Sequence, residues 1–255
     1  MGRILQSVTW WPASRAAADP AEAIRTVAAM GFDAIEMAPE PLWPSIRAAG
    51  LAIPIAVGHR SLEDGLNRSE NHDRIAAELE ANIRKAADHG IPALIVFSGN
   101  RNGVDDERGL ATCAAGLRRV MAAAEALGVT LCMELLNSRV DHPDYQCDRT
   151  AWGVRLCEAV GSPRFKLLYD IYHMQIMEGD LIRTIRDQIR HIGHFHTAGN
   201  PGRGNLDDRQ EIHYPAVMRA IAATDYAGYV GHEFGPQGDP VAALRQAHAA
   251  CSIEA

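Results

Sequence analysis

The stretch ALGVTLCMELLN (126–137) carries three signals in twelve residues: a helix end, a buried strand and an acidic group at the strand's tip. Leu117, Val120, Met121, Ala124 and Leu127 precede or enter it at i, i+3, i+4, i+7 and i+10, which predicts one apolar stripe along a helix. Gly128 then stops that helix, because a residue without Cβ adopts the left-handed backbone that helix ends favour. The run VTLCMEL (129–135) is almost continuously apolar, as expected of a parallel strand covered on both faces. Glu134 stands near its end.

Three later runs repeat this plan. FKLLYD (165–170), HIGHFHT (191–197) and GYVGHEF (228–234) place Asp170, His196 and Glu233 at their last position or two. Successive members of the set Glu134, Asp170, His196 and Glu233 lie 36, 26 and 37 residues apart. One strand–helix unit takes about 30 residues, so each step fits one unit. Upstream, 4–10, 33–37, 52–57 and 93–98 also read as strands, which makes eight. Ile75, Leu79 and Ile83 mark a helix between two of them, and Gly31, Gly50 and Gly90 stop helices shortly before the next strand. Alternation of this kind over 255 residues predicts an α/β fold: a single (β/α)₈ TIM barrel in which 1–255 form one domain. A doubly wound open sheet is the alternative, but no G-x-G-x-x-G follows the first strand. The long polar stretches 58–72, 99–108, 136–149 and 198–212 all follow strands, at the face where barrel enzymes carry their sites.

Charge and composition narrow the function classes. A net charge of −7 argues against a nucleic-acid partner. No apolar run reaches the length of a membrane span, and MGRILQSVTWW lacks a signal-peptide pattern. Cys113, Cys132, Cys147, Cys157 and Cys251 are odd in number and scattered, which fits buried thiols in a reducing compartment. The expectation is a soluble cytoplasmic protein with no membrane or nucleic-acid partner. Lys85 and Lys166 are the only lysines, one on an outer helix and one opening a strand, so a lysine Schiff base is not expected.

If consecutive strands end in Glu134, Asp170, His196 and Glu233, these side chains meet at one rim. Buried carboxylates that converge repel one another unless a cation lies between them. Three carboxylates and an imidazole suit Mn²⁺ or Mg²⁺, with Co²⁺ in the same set, and no organic cofactor is called for. His173, three residues past Asp170, would stand over the rim and donate to a substrate oxygen. Arg203, in the turn AGNPGRGN, offers a planar cationic fork to a carboxylate or hydroxyl pair. Trp10, His59 and Asn100, at or just after the first, third and fourth strands, are expected to shape a substrate pocket. Glu36, near the second strand's end, is a candidate for substrate or supporting contacts, whereas His194 reads as a core histidine. His72, His89 and His248 are placed on outer helices, and the pairs Asp105-Asp106 and Asp207-Asp208 in solvated loops.

The segments MELLNSR (133–139), LLYDIYHMQIMEGD (167–180), HIGHFHTAGNPGRGNLDD (191–208) and YVGHEF (229–234), with AAMGFDAIEM (28–37), resemble the xylose isomerase-like barrel superfamily, and within it the hydroxypyruvate isomerase and ketose 3-epimerase branch. The resemblance implies that Glu134 and Glu233 both bind the metal and move protons, that Asp170 and His196 complete the coordination, and that His173 and Arg203 touch substrate oxygens. The first strand and the loop GHRSLEDGLN depart from that branch's hydroxypyruvate isomerases. The implied activity is metal-dependent isomerisation of hydroxypyruvate, or of a small ketose, by proton transfer through a cis-enediolate. Ketose 3-epimerisation, inosose-type dehydration, phosphodiester cleavage and non-catalytic binding of a metal or sugar are the other readings. The expected partner is a small sugar or hydroxy-oxo acid, and barrels of this kind often form homo-oligomers.

Overall fold

A computed structural model describes residues 4–253 of the chain. Its eight strands are β1 (Leu5–Thr9), β2 (Ala34–Glu36), β3 (Ile55–Val57), β4 (Ala93–Val96), β5 (Thr130–Glu134), β6 (Phe165–Asp170), β7 (Ile192–Thr197) and β8 (Tyr229–His232). All eight expected strands are present, each within the predicted bounds. They form one sheet in the order β2-β1-β8-β7-β6-β5-β4-β3, with parallel pairing throughout the recorded registers. The first and last strands are thus neighbours, as a closed eight-stranded barrel requires. At the remaining edge, Ala34 of β2 bridges Ala52, just ahead of β3. This is the (β/α)₈ barrel expected from the sequence.

The helices are α1 (Trp10–Ala13), α2 (Pro20–Ala29), α3 (Trp43–Ala48), α4 (His72–Asp88), α5 (Asp106–Leu127), α6 (Thr150–Val160), α7 (Ile171–Met177), α8 (Leu181–Gln188), α9 (Tyr214–Ala222) and α10 (Pro240–Cys251). Among the described residues none is long and apolar enough to cross a membrane. The helix stops read from glycine hold: Gly31, Gly50, Gly90 and Gly128 all have positive φ. Leu117, Val120, Met121 and Ala124 are buried as the α5 stripe requires. Leu127, assigned to the same stripe, is the last residue of α5 and is 44% exposed. Asp105 and Asp106 are not free loop residues: the Asp105 side chain accepts from Arg108 N as the cap of α5, and Asp106 pairs with Arg101. His72 opens α4 and is buried, with its Nε2 2.9 Å from Leu66 O.

Backbone contacts divide the chain into two compact units. Among the described residues, one comprises 4–54, Asp180–Ile189 and 194–253; the other comprises Ile55–Gly179 and Arg190–Gly193. In the first, Val8, Ile35, Phe195 and Val230 are buried on the strands beneath Ile24, Val27, Ile46 and Leu244 of the helices. In the second, Leu94, Leu131 and Leu167 on the strands and Leu79, Ile83, Leu117 and Leu156 on the helices are buried. All five cysteines are free and buried, as expected, and burial pushes the Cys157 thiol up to about 12.

Candidate active site

In the first unit the rim is made by the ends of β1, β2, β7 and β8 and the turn after β7. His196 is fully buried on β7, and Glu233 follows β8 directly. The His196 ring lies between two acids: its Nδ1 is 3.2 Å from Glu233 Oε2 and its Nε2 is 3.4 Å from Glu36 Oε2. Arg203 completes this side by donating from Nη2 to Glu233 Oε2 at 2.6 Å. The turn that carries Arg203 is pinned by paired backbone hydrogen bonds between Gly199 and Gly204, of 2.8 and 3.1 Å. Arg203 itself sits at φ 52, and its carbonyl accepts from Gly235 N at 2.8 Å. Its guanidinium carbon lies 5.6 Å from the centre of the Trp11 ring, a cation–π contact.

Beneath His196 is a buried polar network. Glu36 Oε2 is 2.7 Å from His194 Nε2, and Ser7 Oγ donates to Glu36 Oε1 at 2.8 Å. Burial alone would raise the Glu36 carboxyl, but the charge and hydrogen bonding of His194 and His196 outweigh it and hold it well below the usual carboxylate range. Glu36, His194 and His196 together form one of the groups whose geometry could hold a metal ion. His194 is thus a buried histidine with a carboxylate partner, as expected, and it shares that carboxylate with His196.

The second unit contributes the ends of β4, β5 and β6. Glu134 ends β5 and is 5% exposed; Asp170 ends β6 and is fully buried. Asp170 is also the N-cap of α7, accepting from His173 N at 3.1 Å, so the Asp-x-x-His spacing is a helix cap that sets His173 one turn in. The His173 ring is fully buried, with its Nε2 3.8 Å from Asp170 Oδ2 and its Nδ1 2.6 Å from Asn137 Nδ2. Tyr145 ties the two strand ends below: its hydroxyl accepts from Ser98 N at 3.0 Å and donates to Glu134 O at 3.1 Å.

The three expected pocket residues are placed as follows. Trp10 is the first residue of α1, not the last of a strand, and the ring set against Arg203 is that of Trp11. His59 is fully buried, and its Nε2 accepts from Phe97 N at 2.9 Å, so the ring ties the loop after β3 to the end of β4. Asn100 is held by its backbone, donating to Glu63 O at 2.7 Å and accepting from Asn67 Nδ2 at 2.8 Å. Asn137, Glu36 and Trp11 are the contributors that sequence reasoning missed or left undecided. Asn137 and Glu36 both lie inside the segments that carry the family resemblance.

A barrel of alternating strands and helices with acids and imidazoles at the strand tips has the architecture of a barrel enzyme, whose site lies at that face. The chain belongs to the xylose isomerase-like TIM barrel family, whose model matches residues 24–251. A human relative with a provisional hydroxypyruvate isomerase name is 30% identical over 240 residues, covering 87% of this chain and 86% of the relative. The hydroxypyruvate isomerase of Escherichia coli is 36% identical over 143 residues, covering 56% of this chain and 55% of that protein. Among solved structures, an AP endonuclease of family 2 from Brucella melitensis superposes with a TM-score of 0.82 at 24% identity, over 94% of this chain and 97% of that one, which is a likeness of fold. With these relatives the chain is an enzyme of the isomerase class.

Proposed function

We propose that the enzyme interconverts hydroxypyruvate and tartronate semialdehyde with the help of one divalent ion, Mn²⁺ or Mg²⁺. Glu134, Asp170, His196 and Glu233 would hold that ion, and the observation that carries the reading is the chemistry of the strand ends in each unit: Glu134 and Asp170 are buried acids at the ends of β5 and β6, and Glu233 lies 3.2 Å from the buried His196. Buried acids are costly without a cation, and an oxygen-rich set with one nitrogen suits a hard or borderline dication. The two units are read as parts of one barrel domain of a cytoplasmic enzyme.

A bound dication would polarise the carbonyl and adjacent hydroxyl oxygens of the substrate. One of Glu134 and Glu233 removes the proton from C3 of hydroxypyruvate, leaving an enediolate. The proton returns to C2, from the same glutamate or its partner, while the hydroxyl proton passes from O3 to O2. Arg203 receives the substrate carboxylate, His173 donates to the oxygen that gains charge, and Trp10 and Asn100 border the substrate. Stacking on Trp11 keeps the Arg203 fork in one plane.

Purified protein with Mn²⁺ is expected to convert hydroxypyruvate, followed by proton NMR in deuterated water. Glu134→Gln and Glu233→Gln should each lose turnover while keeping the fold. Wild-type rates in either variant would remove that glutamate from the chemistry.

A further inference from the structure

Asn137 follows β5 in the segment LLNSR, and its side chain is fully buried. Both polar atoms of its side chain have hydrogen-bond partners. Oδ1 accepts from Val140 N at 2.9 Å and from Asp141 N at 3.0 Å. Nδ2 lies 2.6 Å from Asp141 Oδ2 and 2.6 Å from His173 Nδ1. The amide cannot be turned over, because its oxygen would then face a carboxylate and its NH₂ two backbone N–H groups. An amide nitrogen only donates, so one hydrogen goes to Asp141 and the other to His173 Nδ1.

His173 Nδ1 must therefore accept, and the neutral ring carries its proton on Nε2. The next acid that could reverse this, Asp141, is 3.9 Å from Nδ1 and already takes hydrogens from Asn137 and from the Tyr172 hydroxyl at 2.8 Å. His142 and Tyr172 pack edge-on to the imidazole, with ring centres 5.3 and 5.0 Å away, so its orientation is fixed as well as its tautomer.

We propose that Asn137 is a positioning residue that locks His173 as the Nε2–H tautomer. His173 is thereby a neutral hydrogen-bond donor for an oxygen that becomes negative in the reaction, and is closed to service as a base: one nitrogen holds a proton and the other's lone pair is taken. The donor role rests on the reaction proposed above; the tautomer does not.

The test has two parts. Long-range proton–nitrogen correlation spectra of the histidine-labelled protein, recorded without substrate or added metal, should show for His173 a protonated Nε2 and an unprotonated Nδ1 at neutral pH, with His173→Gln supplying the assignment. An Nδ1–H or doubly protonated pattern overturns the proposal. Asn137→Asp replaces the donor with an acceptor and should move the His173 proton to Nδ1. With hydroxypyruvate and Mn²⁺ its kcat should fall on the order of hundredfold to thousandfold, the scale for a lost oxyanion donor, with KM nearly unchanged. An unaltered His173 pattern in that variant also overturns the proposal, and should the variant not fold, the wild-type spectrum decides. The Nε2–H pattern in a protein inert towards hydroxypyruvate would sink the reaction and sustain the tautomer assignment. An Nδ1–H pattern in an active enzyme would do the reverse.

Discussion

Glu36 and His194 approach to 2.7 Å in the interior of the first unit, and the same carboxylate oxygen lies 3.4 Å from His196. One buried acid thus serves two histidines that are adjacent on the same face of β7, and Ser7 occupies its other oxygen. Accepting from the Nε2 side of His196, Glu36 leaves the Nδ1 side directed at Glu233. An acid behind a ligating imidazole orients the ring and raises its basicity, and losing such a partner typically costs 10–100-fold in metal affinity. Glu36→Gln is accordingly expected to bind Mn²⁺ on the order of 10–100-fold more weakly in a calorimetric titration. Wild-type affinity in a folded Glu36→Gln protein would show that the acid serves only the core.

Gly231 gives a second handle on the same network. It lies on β8 opposite Ser7, and a Cβ built there would stand 1.9 Å from Glu36 Oε1 and 3.0 Å from His196 Cδ2. Neither group can retreat, since both are fully buried. Gly231→Ala should cost about 3 kcal/mol in urea unfolding, the upper range for overpacking a dense interior. It should also displace Glu36 and weaken Mn²⁺ binding. A loss below about 0.5 kcal/mol, the scale of a neutral surface change, would mean that the network yields more easily than its packing implies.

These two sites show what the sequence can and cannot convey. The strands were legible because parallel strands buried on both faces leave apolar runs. The helix ends were legible because glycines at 31, 50, 90 and 128 take backbone angles that other residues avoid. The tips Glu134, Asp170, His196 and Glu233 followed from strand direction alone. Their supporting groups did not. Glu36 meets His196 across 160 residues and Asn137 meets His173 across 36, and no local period encodes such pairings. Trp10 and Trp11 were exchanged for a smaller reason: β1 ends at Thr9, so both tryptophans belong to a helix, where strand alternation no longer sets their direction.

Arg203 should respond differently from a residue that merely carries charge. It donates to Glu233 at 2.6 Å and stacks on Trp11, and both contacts use the flat face or the fork of a guanidinium. Arg203→Lys keeps the charge and loses the plane. A charge-assisted hydrogen bond of about 1.5–3 kcal/mol converts to roughly a tenfold to hundredfold loss in kcat/KM for hydroxypyruvate. Tryptophan fluorescence should change in Arg203→Lys and not in Arg203→Lys made in a Trp11→Phe background. Unchanged kcat/KM would detach Arg203 from the substrate.

His59 predicts how stability follows pH. Burial, and then the nearby charge of Arg74, lower its pKa from 6.5 to about 4. In the unfolded chain the ring takes a proton as pH falls below 6.5, whereas the folded protein resists until about 4. The unfolded state therefore binds more protons across that window. The contribution of His59 is complete above pH 6.5 and is lost progressively as pH falls towards 4. His232, buried and held down to about 3, adds a loss of the same sign. Between pH 7 and pH 4.5 the His59 share is roughly 2–3 kcal/mol, from 1.36 kcal/mol per pH unit. His59→Gln should be less stable than wild type at pH 7, having lost the Phe97 contact in part, yet its unfolding free energy should decline less by about that amount over the same interval. Parallel urea midpoints for the two proteins across this range would show that the His59 ring titrates alike in the folded and unfolded chains.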